Sequence, residues 1–295
     1  MICFPPRQPD KTIMSSPSND HFGHKSPRFG AAGSPAGDKA AEASIESLPH
    51  YTRYCKTKIT DLPDGDVKRK YLLRHFNESV RQHRQTAGGR LCRAPQLLVT
   101  RVQQLFNPRG QQAYCAELQD HADLCGHRMN QLSTSDHPVA VLKVKTYAQL
   151  DLNEYMLYHG AASDNFQRLF QHCLDPRYVD SDAGGMYGLG IYLSSVASKS
   201  DIYTRPNDEG ERCIFVVRTM LGEPHFEKLE TPGRRAEIKS WCLPPERVDG
   251  RGSLSSVVAV TSQHGGRADH PEYIVYERCQ CLPQFAIWYK HARDC

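Results

Sequence analysis

The sequence predicts an α+β fold built on a largely antiparallel sheet core with flanking helices. Three observations carry this. Short runs such as "PQLLVTRVQQLFNP" and "PVAVLKVKTYAQL" alternate apolar and polar residues, the period of a strand with one buried face. Stretches such as "RGQQAYCAELQDHADL" space their apolar residues as a helix does. No segment repeats, and no long strand–helix–strand alternation of the kind that builds a parallel sheet runs through the chain.

Composition sets the frame. The chain has 295 residues, a formal charge of +4 and 39% hydrophobic residues, which suits one soluble domain of ordinary size with extra segments. The longest apolar runs, "CIFVV" and "SSVVAV", read as buried strands, far short of the roughly 18 residues that span a bilayer. No membrane association is expected. The N-terminus "MICFPPRQPDKTIM" lacks the apolar run of a secretory signal, so an intracellular protein, nuclear or cytoplasmic, is expected. Its eleven cysteines form no CxxC pair and read as free thiols.

Residues 1–48 are rich in Ser, Pro, Gly and Ala and poor in bulky apolar side chains, which predicts a disordered tail. Residues 49–94 form a basic helical segment or linker. Within it "DGDVKRKYLLRHFNESVRQHRQT" places Val67, Tyr71, Phe76 and Val80 at near-helical spacing, with Asp66 as N-cap and "AGG" as a stop. Its cations favour a solvated helix face, with docking on nucleic acid as the less favoured reading.

From residue 95 to 292 the elements follow one another closely. "PQLLVTRVQQLFNP" is a strand ending at Asn-Pro. A helix follows, with Ala113, Leu118 and Leu124 on its apolar face, and then the strand "PVAVLKVKTYAQL". "EYMLYHG" is an apolar strand turning at His159-Gly160 into a helix from about Ser163, its N-cap, with Phe166, Leu169 and Phe170 on one face. "ERCIFVVRTMLGEPHF" and "PEYIVYERCQCLPQFAIWYK" are strand-rich and separated by a Gly/Pro/Arg-rich segment, 231–253. Cys115, His121, Cys125 and His127 hold four metal-ligating side chains, but their spacing fits no common zinc finger, and no metal is expected.

The stretch "GGMYGLGIYLSSVASKSDIYT" resembles a phosphate-binding loop at first sight. A Walker loop requires Gly-Lys-Ser/Thr entering a helix, and here a strand-like "IYL" follows the glycines. A dinucleotide fingerprint fails for want of a helix opening at the third glycine. What remains is a tight turn leading to Tyr192, a helix start near Ser194-Ser195, and Tyr203 beyond it. Two tyrosine faces suit a flat aromatic ring; alone, they read more simply as core tyrosines.

Taken in order, "LYHG" (157–160), "GLGIYLSSVASKSDIY" (188–203) and "EYIVYE" (272–277) have the succession and spacing of the poly(ADP-ribose) polymerase catalytic domain. "VTRVQQLFNP", "LDPR" and "CLPQFAIWYK" agree with the same pattern. The resemblance covers about residues 95–290 and is closest to tankyrase and the smaller single-domain members. It implies the split-sheet ADP-ribosyltransferase fold with a His-Tyr-Glu set: His159, Tyr192 and Glu272. It also implies NAD+ as substrate, transfer of ADP-ribose to protein side chains, the chain itself included, and release of nicotinamide.

By that resemblance Glu272 bonds the nicotinamide ribose, stabilises the cation developing there and positions an acceptor hydroxyl. His159 binds the adenine-side ribose. Backbone groups of Gly160 and the hydroxyl of Ser200 hold the nicotinamide carboxamide, Tyr192 and Tyr203 sandwich the ring, and Lys199 sits beside Glu272. Without the family, Glu272 reads as a strand-edge charge, His159 as a core histidine and Ser200 as a helix-surface serine. Two departures stand out: Ala161 replaces a usual serine or threonine, and Cys173 stands where a helix-ending glycine is common. The His-Tyr-Glu set is compatible with extending poly(ADP-ribose) without requiring it. Other readings are a weakly active module binding NAD+ or ADP-ribose, and an NAD+ glycohydrolase.

Overall fold

The computed structural model describes residues 56–84, 91–92, 94–125, 152–178, 185–250 and 252–292, all within one compact unit, Ile45–Cys295. In chain order its elements are β1 (Lys58–Asp61), α1 (Val67–Glu78), β2 (His83–Arg84), β3 (Leu91–Cys92), β4 (Leu97–Phe106), α2 (Pro108–Cys125), β5 (Glu154–Ala161) and α3 (Phe166–His172). There follow β6 (Ile191–Ser194), α4 (Ala197–Asp201), β7 (Arg212–Met220), β8 (Pro224–Glu227), α5 (Pro232–Lys239), β9 (Ser256–Ala259), β10 (Glu272–Val275) and β11 (Cys281–His291).

The main sheet has the order β1-β4-β11-β7-β5-β6-β10-β9-β8. Every neighbouring pair is antiparallel except β8 and β9, which run parallel. The fold is thus α+β. Strands β5 and β6 meet at a single register pair, Tyr158 with Ser194, whereas β5 pairs with β7 along its whole length. One residue pair therefore joins two half-sheets, and a cleft opens where the strands part.

In the larger half-sheet β7 lies between β11 and β5, and its "CIFVV" run is buried throughout. Its alternation feeds two cores. Phe215 and Val217 pack with Leu157 and the α3 residues Phe166, Leu169 and Phe170; Ile214 and Val216 pack on the other face with Tyr158, Leu72 and Phe76. At roughly 25 cal/mol per Å² these apolar faces are what hold the helices to the sheet.

Helix α1 begins as its sequence dictates, Asp66 accepting from the N–H groups of Lys68 (2.7 Å) and Arg69 (3.2 Å). Its buried face is Leu72 and Phe76; Val67 and Tyr71 are 80% and 48% exposed. Nine residues at 3.6 per turn put Val67 about 180° from Phe76, so both cannot face the sheet. Cations inside the basic segment and beyond it are bonded within the fold. Arg69 pairs with Asp64 at 2.8 Å, and Arg101 lies 4.3 Å above the Trp288 ring and 3.2 Å from Glu211.

In α2 the buried stripe along the helix is Tyr114, Leu118 and Ala122, one residue round from Ala113. Ser163 is not a cap: a 3-10 turn, Ser163–Asn165, precedes α3, and the Ser163 hydroxyl bonds the Arg205 carbonyl at 2.9 Å. Segment 231–253, read as a spacer, contains α5. Thr231 caps it by accepting from Arg234 N at 3.2 Å, and Pro232 opens it, the Thr-Pro start signal that the spacer reading missed. Cys173 ends α3 at φ 60°, a left-handed conformation that favours glycine. The tail 1–48, the "AGG" stop, the strand "PVAVLKVKTYAQL", the side chain of Leu124 and His127 lie outside the described residues. No helix among those residues is long and apolar enough to cross a membrane, and none of their His, Cys, Asp and Glu side chains cluster as a metal site.

Candidate active site

A cavity of about 290 Å³ fills the gap between β5 and β6, and His159, Gly160, Tyr192, Lys199, Ser200, Tyr203 and Glu272 all line it. Residues spread over more than a hundred positions of sequence thus meet on one wall system.

β5 supplies the first two. The Nδ1 of His159 lies 2.9 Å from the carbonyl of Tyr192. A carbonyl only accepts, so Nδ1 carries the proton and Nε2 is left as an acceptor. Burial pushes the imidazole pKa down, only partly offset by that bond, and His159 is neutral at pH 7. Backbone groups at alternate residues of a strand point to the same side. Tyr158 turns its carbonyl towards Ser200, so Gly160 directs its N–H and C=O the same way, into the gap.

Glycine at 160 is required by packing as well as by access. A Cβ there would lie 1.8 Å from the Ser200 carbonyl oxygen, so α4 rests directly on the strand. Ser200 is buried, its hydroxyl donating to the Tyr158 carbonyl at 3.0 Å, which leaves its lone pairs to accept from a ligand. The helix starts at Ala197 rather than at Ser194-Ser195. Ser194 instead ends β6, donating to the Pro271 carbonyl at 2.8 Å and accepting from Val196 N at 3.1 Å.

Tyr192 crosses the glycine turn. Its hydroxyl donates to the Gly188 carbonyl and accepts from Tyr187 N, each at 2.8 Å. Gly188 itself has φ +90° and faces the Trp241 carbonyl, 2.5 Å from where a Cβ would sit; the 231–241 segment thus buttresses the turn. Burial raises the Tyr192 phenol well above its ordinary pKa. Tyr203 follows the single-turn α4 and is 54% exposed.

Glu272 opens β10, paired with Ser194 on one side and Ala259 on the other. It is 4% exposed, and Lys199 Nζ lies 2.9 Å from its Oε1. Lys199 also reaches the Tyr203 hydroxyl at 3.4 Å. Burial works against the ammonium, but Glu272 and Tyr203 outweigh it and hold the Lys199 pKa above its ordinary value. The Lys199 ammonium therefore keeps its charge at neutral pH, and it lies against a buried carboxyl group that lines the cavity.

The far wall holds residues that the sequence reading did not single out. Asn165 and Arg168 come from the α3 region, and Asp175 follows it. Asp175 is held below its usual carboxylate range, first by the side-chain bond from Arg177. The adjacent "LDPR" motif was the available signal for this wall.

The split antiparallel sheet thus carries a histidine on one half, a glutamate on the other and a tyrosine turn between them. Residues 99–291, about two thirds of the chain, match the model of the poly(ADP-ribose) polymerase catalytic domain. The chain belongs to this family, whose substrate is NAD+. Over 72 residues, 24% of the chain, it is 32% identical to the protein mono-ADP-ribosyltransferase PARP10 of Mus musculus, and that stretch spans 7% of the relative's length.

Proposed function

We propose that the chain cleaves NAD+, releases nicotinamide and transfers ADP-ribose to protein side chains. The observation that carries this is the buried Glu272, ion-paired to Lys199, on the wall of a cavity that His159 and Gly160 also line. A glutamate on a mostly apolar strand face needs a purpose, and an oxocarbenium-like ribose is a cation that a carboxylate stabilises.

The donor set fits the dinucleotide. The neutral His159 offers Nε2 to a ribose hydroxyl. Gly160 offers a backbone N–H and C=O to the carboxamide, with the Ser200 hydroxyl beside them. Tyr192 and Tyr203 offer ring faces to the nicotinamide. As the bond from C1′ to the nicotinamide nitrogen breaks, its electron pair leaves with the neutral ring. Glu272 stabilises the charge left on the ribose and orients the acceptor hydroxyl, which attacks C1′ as its proton passes to solvent. Ala161 also lines the cavity and brings no hydroxyl; one net hydrogen bond forgone weakens NAD+ binding by about 0.5–1.5 kcal/mol.

Incubating the full chain with NAD+ labelled in the adenosine half, followed by denaturing gel separation, tests the reading. Label on protein and nicotinamide in solution are expected. In Glu272→Gln both fall by about 10²–10³, with NAD+ affinity nearly kept. A sharp band means single transfer, the activity in the name of the mouse relative, and a smear means polymer. Nicotinamide without protein label leaves a glycohydrolase, and NAD+ binding without release leaves a binding module.

A further inference from the structure

Residues 79–82 precede the span that matches the family, yet they are bonded to both sides of the Lys199–Glu272 pair. On the Lys199 side, Ser79 Oγ accepts from Ala197 N at 3.1 Å. Arg81 N donates to Ser198 Oγ at 2.8 Å, and Ser198 Oγ donates back to the Arg81 carbonyl at 3.0 Å. Ser198 is fully buried and adjoins Lys199. On the Glu272 side, His270 Nε2 lies 2.7 Å from the Gln82 carbonyl, which can only accept, so the ring donates. The His83 ring meets His270 edge-on at 4.5 Å.

We infer that residues 79–82 form a strap that sets the separation of Lys199 and Glu272, with Ser198 and His270 as positioning residues. Helix α4 is pinned at its other end without the strap. There Ser200 bonds Tyr158, and Asp201 accepts from the Tyr289 hydroxyl at 2.6 Å and lies 2.8 Å from His291 Nε2. Loss of the strap therefore frees Ala197 and Ser198, the N-terminal residues directly before Lys199, while Ser200 and Gly160 stay in contact. On the Glu272 side, His270 ties the lead-in of β10 to the same four residues. The inference rests on the reading of Glu272 and Lys199 as the pair that serves transfer, and it makes a segment outside the matched span part of the site.

The two functions of the cavity then separate experimentally. Nicotinamide release by the full chain, benzamide affinity and melting temperature are measured for Ser198→Ala, His270→Ala and His270→Gln. Tyr114→Phe, which removes a buried hydroxyl bonded to Glu154 far from the strap, is the control for lost stability alone. Expected for the two alanine variants is a kcat about tenfold lower, with KM for NAD+ and benzamide affinity within about twofold. His270→Gln keeps a donor for the Gln82 carbonyl and recovers most of kcat. Tyr114→Phe lowers the melting temperature and leaves kcat at wild type. Wild-type turnover with kcat unchanged in both alanine variants overturns the strap alone. So does a parallel fall of kcat and benzamide affinity that tracks melting temperature. A wild-type chain that releases no nicotinamide overturns the catalytic reading and the strap with it.

Discussion

Tyr192 and Tyr203 are the same residue type in the same cavity, and the fold treats them differently. Tyr192 is bonded at its hydroxyl from both directions and belongs to the wall. Tyr203 has half its surface in solvent, so its ring is the one available to close on a ligand. Tyr203→Ala is expected to weaken benzamide binding by about 0.5–1.5 kcal/mol, roughly two- to tenfold, with little change in melting temperature. Titration calorimetry checks this; unchanged affinity removes Tyr203 from the clamp. At this scale the candidate residues were legible only through the family resemblance of three separated motifs, since each side chain alone reads as an ordinary core or edge residue. Their partners were not: nothing in "LYHG" says that the histidine would bond the carbonyl of a residue 33 positions later.

At the scale of elements, α4 is a five-residue helix held by what surrounds it, since one turn has little stability of its own. Gly160 is the contact most sensitive to change. In Gly160→Ala the new methyl meets the Ser200 carbonyl oxygen at 1.8 Å; either α4 or β5 must shift. A loss of about 1–3 kcal/mol or more is expected, visible as a lower urea midpoint, together with loss of benzamide binding. A variant with wild-type midpoint and affinity shows that α4 does not rest on the strand as described. Strands were legible where both faces are buried, as in "CIFVV". Helix faces were less so: α1 carries apolar residues on two sides, and only the partner surface decides that Leu72 and Phe76 go inward. Ser163 has the chemistry of a cap, but two carbonyls from the 205–211 segment lie closer to its hydroxyl than any helix N–H.

For the molecule as a whole, three of the described histidines, His83, His159 and His270, enter the fold neutral. Burial, aided by His270 and Lys199, pulls His83 down from 6.5 to about 4; burial likewise lowers His159 and His270. Between about pH 6.5 and 4 the unfolded chain binds protons that the folded chain refuses, so stability falls as pH falls through that window. The carboxylates act lower. Asp175, through Arg177, sits below its ordinary 3.8, and its contribution is lost only as pH drops through that depressed value. Equilibrium urea unfolding is expected to give a lower midpoint at pH 5 than at pH 7, with a shallower dependence in His83→Gln. A midpoint flat from pH 7 to 5 contradicts the neutral histidines.

By itself the sequence determined the antiparallel α+β class, the main strands and the chemical inventory of the site. The class and the strands follow from local periodicity, which a linear chain carries with it; the candidate site residues follow from the order and spacing of motifs that resemble the family's. Only the tertiary structure decided that the two half-sheets touch at one residue pair, that the opening there brings His159 and Glu272 to one cavity, and that residues 79–82 reach both sides of it. Such contacts join positions up to 188 residues apart. They arise from the packing of whole faces against one another, which no single segment specifies.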